Sequence, residues 1–357
     1  MSSQLLFISA GDPSGDIATA RLLGSLRGLK PDIGVFGLGG DRLKALGQEQ
    51  LVSGDDLAVL GFWEVVKQYS FFRNLMHRSV DEITRRQPSC ILLVDYPGFN
   101  LRLAKRIRHL GIPIVYYISP QLWAWGGKRI SQLRDLVDLL ILILPFEKKF
   151  YAASGVKTDF VGHYLLEDIS ASLSSSPLPQ SKQLALLPGS RPQEIERMLK
   201  TLCEAAALFC GRHGYRTVVA GVQNGFDYTP VLRQFSHAPI CISYGNSREV
   251  IAGSDLVLTA SGTATLETGI IGRPMVIVYK TGFITYQIAR RLVKIDKIGL
   301  VNLVLGDRVM PELIQSEAAP TRIVEELSRF VQEASYSQAA LARPSWAGKD
   351  PAMISER

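Results

Sequence analysis

Cysteine is scarce in this chain and never paired in spacing. Four occur in 357 residues (Cys90, Cys203, Cys210 and Cys241), all in apolar segments and none as Cys-x-x-Cys. That pattern excludes a disulfide framework and reads as reduced core cysteines of a cytosolic protein. Long apolar runs are missing as well: none reaches the ~20 residues that span a bilayer. The opening stretch, residues 4–11, has neither the length nor the basic flank of a signal core, so it reads as a first buried strand. There is no Walker A loop, no Gly-x-Ser-x-Gly elbow and no Gly-x-Gly-x-x-Gly fingerprint. No His/Cys/Asp cluster has metal-ligand spacing. Acidic side chains are in deficit, 33 against 40 Lys and Arg, for a formal charge of +7. The surplus favours anionic partners, and its sign alone does not choose among phosphates, nucleic acid and an acidic membrane.

What is present is alternation. Hydrophobic residues make up 46% of the chain, enough for two α/β domains with full cores. Buried-strand candidates run from Leu5 to Ala10, Ile33 to Leu38, Cys90 to Val94, Ile114 to Ile118 and Leu139 to Leu144. Amphipathic stretches lie between them, beginning with Ile17 to Leu29. A Ser/Pro-rich segment, 170–182, interrupts the pattern as a linker. The alternation then restarts with Gln183 to Leu187, Thr217 to Ala220, Ile240 to Ser243, Leu256 to Thr259 and Met275 to Tyr279. The fold class expected is α/β, with two Rossmann-like doubly wound domains facing a cleft. The boundaries expected are 1–169, linker 170–182, 183–320, and a helical tail 321–357.

Two turns carry the clearest chemistry. Leu186-Leu187-Pro188-Gly189-Ser190-Arg191 and Ala260-Ser261-Gly262-Thr263-Ala264-Thr265-Leu266-Glu267 each read as a strand that ends in small residues and enters a helix. Such a turn leaves backbone N–H groups available to an anion. Arg191 adds a planar fork for phosphate, and Glu267 falls about one helical turn after Thr263. Donors for phosphates beside an acceptor for ribose hydroxyls suit a nucleoside diphosphate.

Other motifs admit two readings each. In Gly11-Asp12-Pro13-Ser14-Gly15-Asp16 the glycines allow close ligand approach, or Ser14 or Asp16 merely caps a helix. Asp95, at the end of a strand in Val94-Asp95-Tyr96-Pro97-Gly98-Phe99-Asn100, is either a proton acceptor or a turn former before Pro97. Trp123 and Trp125 line a pocket or fill a core. His163 is a structural histidine or, at the domain junction, a cleft residue. The aromatic and basic stretch 61–78 suits a membrane interface or acyl groove, or a core helix with cations outside.

Taken in order, these motifs resemble the lipid-A-disaccharide synthase family, glycosyltransferases of the two-Rossmann GT-B type. The resemblance spans residues 5 to about 315 and also draws on Ser119-Pro120-Gln121-Leu122-Trp123-Ala124-Trp125, Leu144-Pro145-Phe146-Glu147, Phe160-Val161-Gly162-His163, Glu194 and Asn302-Leu303-Val304. It implies transfer of the sugar of UDP-2,3-diacylglucosamine to 2,3-diacylglucosamine 1-phosphate (lipid X), with inversion, giving a β-1,6-linked disaccharide phosphate and UDP. Asp95 matches the family's essential aspartate and would be the base. Asp12 stands where the family usually has glutamate and is the second catalytic candidate. Gly189, Ser190, Arg191, Ser261, Gly262 and Thr263 would hold the UDP phosphates, and Glu267 the ribose. Ser14, Asn100, Trp125, His163 and Asn302 would touch substrate. The resemblance implies no metal, no cofactor and no nucleic acid. It places the protein in the cytoplasm, peripherally on the inner membrane, and allows a homodimer through exchanged C-terminal segments. Gly98, where the family usually carries a second aspartate, is a departure. The rival readings are another UDP-sugar enzyme of the same fold, such as a UDP-GlcNAc epimerase, and a non-catalytic lipid or nucleotide-sugar binding protein.

Overall fold

Phe7 and Ile8 are wholly buried between layers, and their strand Leu5–Ala10 (β1) is an interior strand, third in order, of a seven-stranded sheet. The computed structural model describes residues 4–52, 69–123, 129–169, 181–223, 225–282, 286–287 and 297–333. The chain divides into two units between Tyr164 and Leu165. In the first, β1 is joined by Gly34–Leu38 (β2), Glu49–Gln50 (β3), Cys90–Val94 (β4), Ile114–Tyr117 (β5), Leu139–Leu142 (β6) and Thr158–Phe160 (β7). The order is β3-β2-β1-β4-β5-β6-β7, and every pairing is parallel. Continuous apolar runs such as Cys90-Ile91-Leu92-Leu93-Val94 fit a sheet covered on both faces. Helices Pro13–Leu29, Tyr69–Arg86, Pro97–Ile107, Ile130–Leu136 and Pro145–Tyr151 make the crossovers.

The second sheet has six parallel strands: Gln183–Leu187 (β8), Arg216–Gly221 (β9), Ile240–Tyr244 (β10), Leu256–Ala260 (β11), Met275–Tyr279 (β12) and Glu312–Ile314 (β13). Their order is β10-β9-β8-β11-β12-β13. The long helix Pro192–His213 buries Ile195, Leu199, Leu202, Ala206 and Phe209 at three- and four-residue spacing. Helix Pro320–Gln332 packs beside it through Ile323, Leu327 and Phe330. The described part of the expected tail is therefore integral to this unit.

Two Rossmann-like domains are what the sequence predicts. The first helix starts at Pro13 rather than Ile17, because Asp12 caps it and proline suits the first turn. Neither Ser14 nor Asp16 is the cap. Asp16 is buried and accepts from the backbone N–H groups of Gly40, Arg42 and Leu43, fixing the start of the next short helix. Strand β13 was not foreseen. Residues 170–180 of the linker and the tail from 334 lie outside the described residues.

Within the stretch 61–78, only 69–78 belongs to the described residues, as the first half of helix Tyr69–Arg86. Leu75, Met76, Ser79 and Ile83 face the core, and Phe71 and Phe72 pack against it half-buried. Arg73, His77 and Arg78 are exposed on the outer side. This half is a core-packed helix with cations outside.

Candidate functional site

Strand order reverses between β1 and β4, and in open α/β sheets ligands gather outside the carboxyl ends at such a point. Ala10 is opposite Val94, so Gly11-Asp12 and Asp95-Tyr96 leave the sheet side by side. Asp12 Oδ1 accepts the Gly15 N–H at 2.7 Å, and the Ser14 hydroxyl donates to Oδ2 at 3.2 Å. Ser14 is thus exposed at the rim, tied to Asp12. A Cβ on Gly11 would overlap the Tyr96 ring, which explains glycine there. Burial, with the charge of Asp12 adding to it, pushes the Tyr96 phenol up to about 12.

Asp95 and Tyr96 are consecutive left-handed residues, with φ of 41° and 47°. For non-glycine residues each such conformation costs on the order of 1–3 kcal/mol and persists only where surroundings enforce it. Here they do. The Asp95 N–H donates to Tyr117 O at 3.0 Å. The buried Tyr116 hydroxyl and the Asn100 amide both donate to the Asp95 carbonyl. Asn100 Nδ2 also donates to Val94 O (3.0 Å) and Ser9 O (3.3 Å), while its Oδ1 accepts from the Ser9 hydroxyl at 2.7 Å.

Asn100, expected to touch substrate, is wholly buried with its amide committed to these carbonyls, so it supports Asp95 from beneath. His163 is buried too, stacked on Tyr164 at 4.6 Å, and desolvation pulls its pKa down to about 4, which makes it a neutral interior imidazole. Trp125 lies outside the described residues. Trp123 donates its indole N–H to Glu147 at 3.3 Å and meets Phe146 edge-on, the satisfied packing role. Glu147 is almost fully buried and also accepts the Leu144 N–H at 3.1 Å; burial raises its pKa to about 7.

In the second unit the strand order reverses between β8 and β11. Leu187 is opposite Thr259, which sets turn 188–191 beside turn 260–263. Gly189 has φ of 119°, with room at its Cβ position limited by Glu194 at 3.0 Å. Arg191 is the extended residue before the 22-residue helix, and its side chain is 77% exposed, 3.7 Å from Glu194. Ser190 is exposed beside it. Gly262 has φ of 133° and open space where a side chain would be, and Thr263 begins helix Thr263–Ile271. The Ser261 hydroxyl donates to Ile298 O at 2.9 Å. Glu267 sits in the second turn of that helix and pairs with Arg248, Nη2 to Oε1 at 2.8 Å.

Asn302, expected to touch substrate, lies in helix Leu300–Leu305. It is wholly buried, donating to Met310 O and Glu312 Oε1 at 2.8 Å each and accepting from Met310 N–H at 2.9 Å. Glu312 in turn accepts from the N–H groups of Ile298 and Gly299, so the pair fixes the segment that holds Ser261. Sequence reasoning missed Tyr116, Arg248 and the interior part of Glu147, since each is defined by partners remote in sequence.

The first unit therefore offers two carboxylates at one strand edge, and the second offers backbone donors, a guanidinium and a carboxylate at another. Among the described residues no group of three or more His, Cys, Asp or Glu is placed to hold a metal ion. Among them no helix is long and apolar enough to cross a membrane.

A family model described as lipid-A-disaccharide synthetase matches residues 6–344. The lipid-A-disaccharide synthase of Anaeromyxobacter dehalogenans (strain 2CP-1) is 38% identical over 96% of this chain and 91% of its own length. That of Myxococcus xanthus (strain DK1622) is 39% identical, covering 91% and 87%. Among solved structures, a UDP-GlcNAc 2-epimerase from Neisseria meningitidis bound to UDP-GlcNAc superposes with TM-score 0.66 at 11% identity, over 99% of this chain and 98% of that one. The spinosyn rhamnosyltransferase SpnG with thymidine diphosphate gives 0.54 at 16%, covering 94% of each chain. These structures share the fold.

Proposed function

The chain belongs to the lipid-A-disaccharide synthase family, and on that premise we propose how its two strand-edge sites divide the chemistry. The protein is a glycosyltransferase that forms the lipid A disaccharide from a nucleotide sugar. The epimerase reading shares only the fold, at 11% identity, and no family match favours it.

The donor is UDP-2,3-diacylglucosamine, held by residues 183–320, and the acceptor is lipid X, held by residues 1–169. The observation that carries this assignment is the adjacency of turns 188–191 and 260–263 at the carboxyl ends of β8 and β11. Together they supply N–H groups at two helix starts and the Arg191 guanidinium, the donors that a diphosphate requires. Ser190, Ser261, Gly262 and Thr263 complete that cradle, and Glu267 accepts from the ribose.

The reaction is one in-line displacement. The acceptor's primary hydroxyl attacks the anomeric carbon while the bond from that carbon to the UDP oxygen breaks, inverting the centre. Asp95 takes the hydroxyl proton, and Arg191 with the turn N–H groups receives the charge that develops on the leaving diphosphate. Support for Asp95 comes from its enforced left-handed backbone at the β1/β4 reversal. Asp12, occupied in capping, orients the first loop and adds negative potential there. Ser14, on Asp12, is at the rim where acceptor contact is available.

The enzyme works in the cytoplasm at the inner-membrane face. The net charge of +7 and the exposed Arg73, His77 and Arg78 of helix Tyr69–Arg86 support contact with anionic lipid. Flotation with vesicles of anionic and of neutral phospholipid tests that contact. Dimerisation through the C-terminal segment is tested by light scattering of the full and tail-truncated chains.

The deciding experiment is radiolabelled transfer from UDP-diacylglucosamine to lipid X in mixed micelles. Transfer by the wild type, with Asp95→Asn folded yet slower by about 100-fold or more, is expected. Near-normal rates in that variant would remove Asp95 from the base role, and no transfer by folded wild type would overturn the substrate assignment.

A further inference from the structure

Arg248 is the second residue of helix Ser247–Ala252, just past the carboxyl end of β10. Its guanidinium crosses to helix Thr263–Ile271 and gives Glu267 Oε1 two hydrogen bonds, from Nε at 3.1 Å and from Nη2 at 2.8 Å. The two side chains are 28% and 17% exposed. Neighbouring ion pairs of this unit are of another kind. Arg322–Glu325, Arg329–Glu326 and Arg191–Glu194 each join residues three apart near one helix. Arg248–Glu267 instead ties together two helices that both begin at the ligand edge of the sheet.

The geometry suits a held acceptor. A carboxylate has about four acceptor positions, and both bonds from Arg248 to Glu267 end on the same oxygen. Glutamate is among the side chains that lose most rotamer freedom when fixed, and fixing it before binding removes that loss from the binding step.

We propose that Arg248 is the positioning residue of the nucleoside subsite: it orients Glu267 so that the ribose diol of a uridine diphosphate meets an acceptor already in place. The inference rests on the reading of Glu267 as the ribose acceptor. Arg248 acts through Glu267 and not on the phosphates, which is what distinguishes it from Arg191.

Calorimetric titration of the full chain with UDP and with 2′,3′-dideoxy-UDP tests this. The set is wild type, Arg248→Ala, Arg248→Lys, Glu267→Ala and the double alanine variant. Arg248→Ala is expected to weaken UDP by about tenfold, the scale of one charge-assisted hydrogen bond. It should leave the dideoxy nucleotide within about twofold, and the double variant should bind UDP no more weakly than Glu267→Ala alone. Arg248→Lys, which keeps the charge but not the fork, should show the same ligand-dependent loss to a smaller extent; it carries the test should the alanine variant fail to fold. Equal losses for both nucleotides would overturn the proposal by making Arg248 a direct ligand of base or phosphate. Unchanged or tighter UDP binding would overturn it as well. A Glu267→Ala variant that binds UDP normally, or loses both nucleotides alike, would instead refute the ribose reading beneath it.

Discussion

Asn100 holds Asp95 by its backbone: the Asn100 amide donates to the Asp95 carbonyl at 2.8 Å. Position 95 is thereby fixed from a wholly buried side chain five residues later. The same amide serves Val94 and Ser9, so one residue joins the ends of β1 and β4.

Replacing Asn100 by alanine should therefore damage fold and catalysis together. Three carbonyls would lose a buried donor, that of Asp95 keeping the Tyr116 hydroxyl, and a buried group left without a partner costs about 1–3 kcal/mol, part of which relaxation recovers. A loss of about 3 kcal/mol in urea denaturation is expected, with kcat falling more than the acceptor KM rises. A residue that merely touched substrate would give the reverse: unchanged stability and a raised KM. That second pattern would return Asn100 to the ligand surface.

Gly11 and Tyr96 should be energetically coupled. Because a Cβ on Gly11 would overlap the Tyr96 ring, Gly11→Ala must displace it, and overpacking of this kind costs about 1–3 kcal/mol. In a Tyr96→Ala background the three atoms nearest the added methyl, all of the Tyr96 ring, are removed, so the overlap is lifted. The cost of Gly11→Ala should then drop to less than half, as read from a double-mutant cycle of unfolding free energies. Additive costs would mean that the ring does not set the limit at Gly11.

The strands were legible because their signal is local. Runs such as Leu184-Ala185-Leu186-Leu187 are short and end in Pro188-Gly189, the length and flank that separate a buried parallel strand from a buried helix segment. Strand β13 was not legible: it is three residues long, and Glu312 enters it with a carboxylate that only the distant Ile298, Gly299 and Asn302 explain. The two phosphate-type turns were visible in sequence, while their adjacency depends on β8 pairing with β11. Asn100 and Asn302 are read as ligand residues through the family resemblance, and both lie in helices, Pro97–Ile107 and Leu300–Leu305. Their roles are set by Ser9, 91 residues away, and by Met310. Arg248 left no trace in the sequence since an ion pair 19 residues apart has no periodicity to reveal it.

Arg191 should matter for the diphosphate and little for the fold. Its side chain is 77% exposed, so truncation removes neither packing nor a buried partner. Arg191→Ala should leave the unfolding midpoint within about 0.5 kcal/mol of wild type. UDP affinity should fall about tenfold or more, with a weaker dependence on salt. Arg191→Lys keeps a charge but loses the planar fork, so it should recover only part of the affinity. Unaltered UDP binding by Arg191→Ala in calorimetry would exclude it from the phosphate site.

Two buried groups of the first unit should give opposing pH dependences. Glu147 has its pKa raised by desolvation from 4.5 to about 7, so between those values the folded state binds more protons than the unfolded one. Its contribution is full below pH 4.5 and is lost as pH rises through about 7. His163 has its pKa lowered by desolvation from 6.5 to about 4, so the unfolded state binds the extra proton. Its contribution is present above pH 6.5 and is lost as pH falls towards 4. From about pH 4.5 to 6.5 the two slopes cancel. Glu147→Gln should unmask the histidine, giving stability that rises with pH through this window. His163→Gln should unmask the carboxylate, giving stability that falls with pH up to about 7. Each variant's difference from wild type should change by on the order of 3 kcal/mol across its window. Urea titrations at half-unit pH steps read both curves. Slopes of one sign in the two variants would mean that at least one of these side chains is not held neutral by burial.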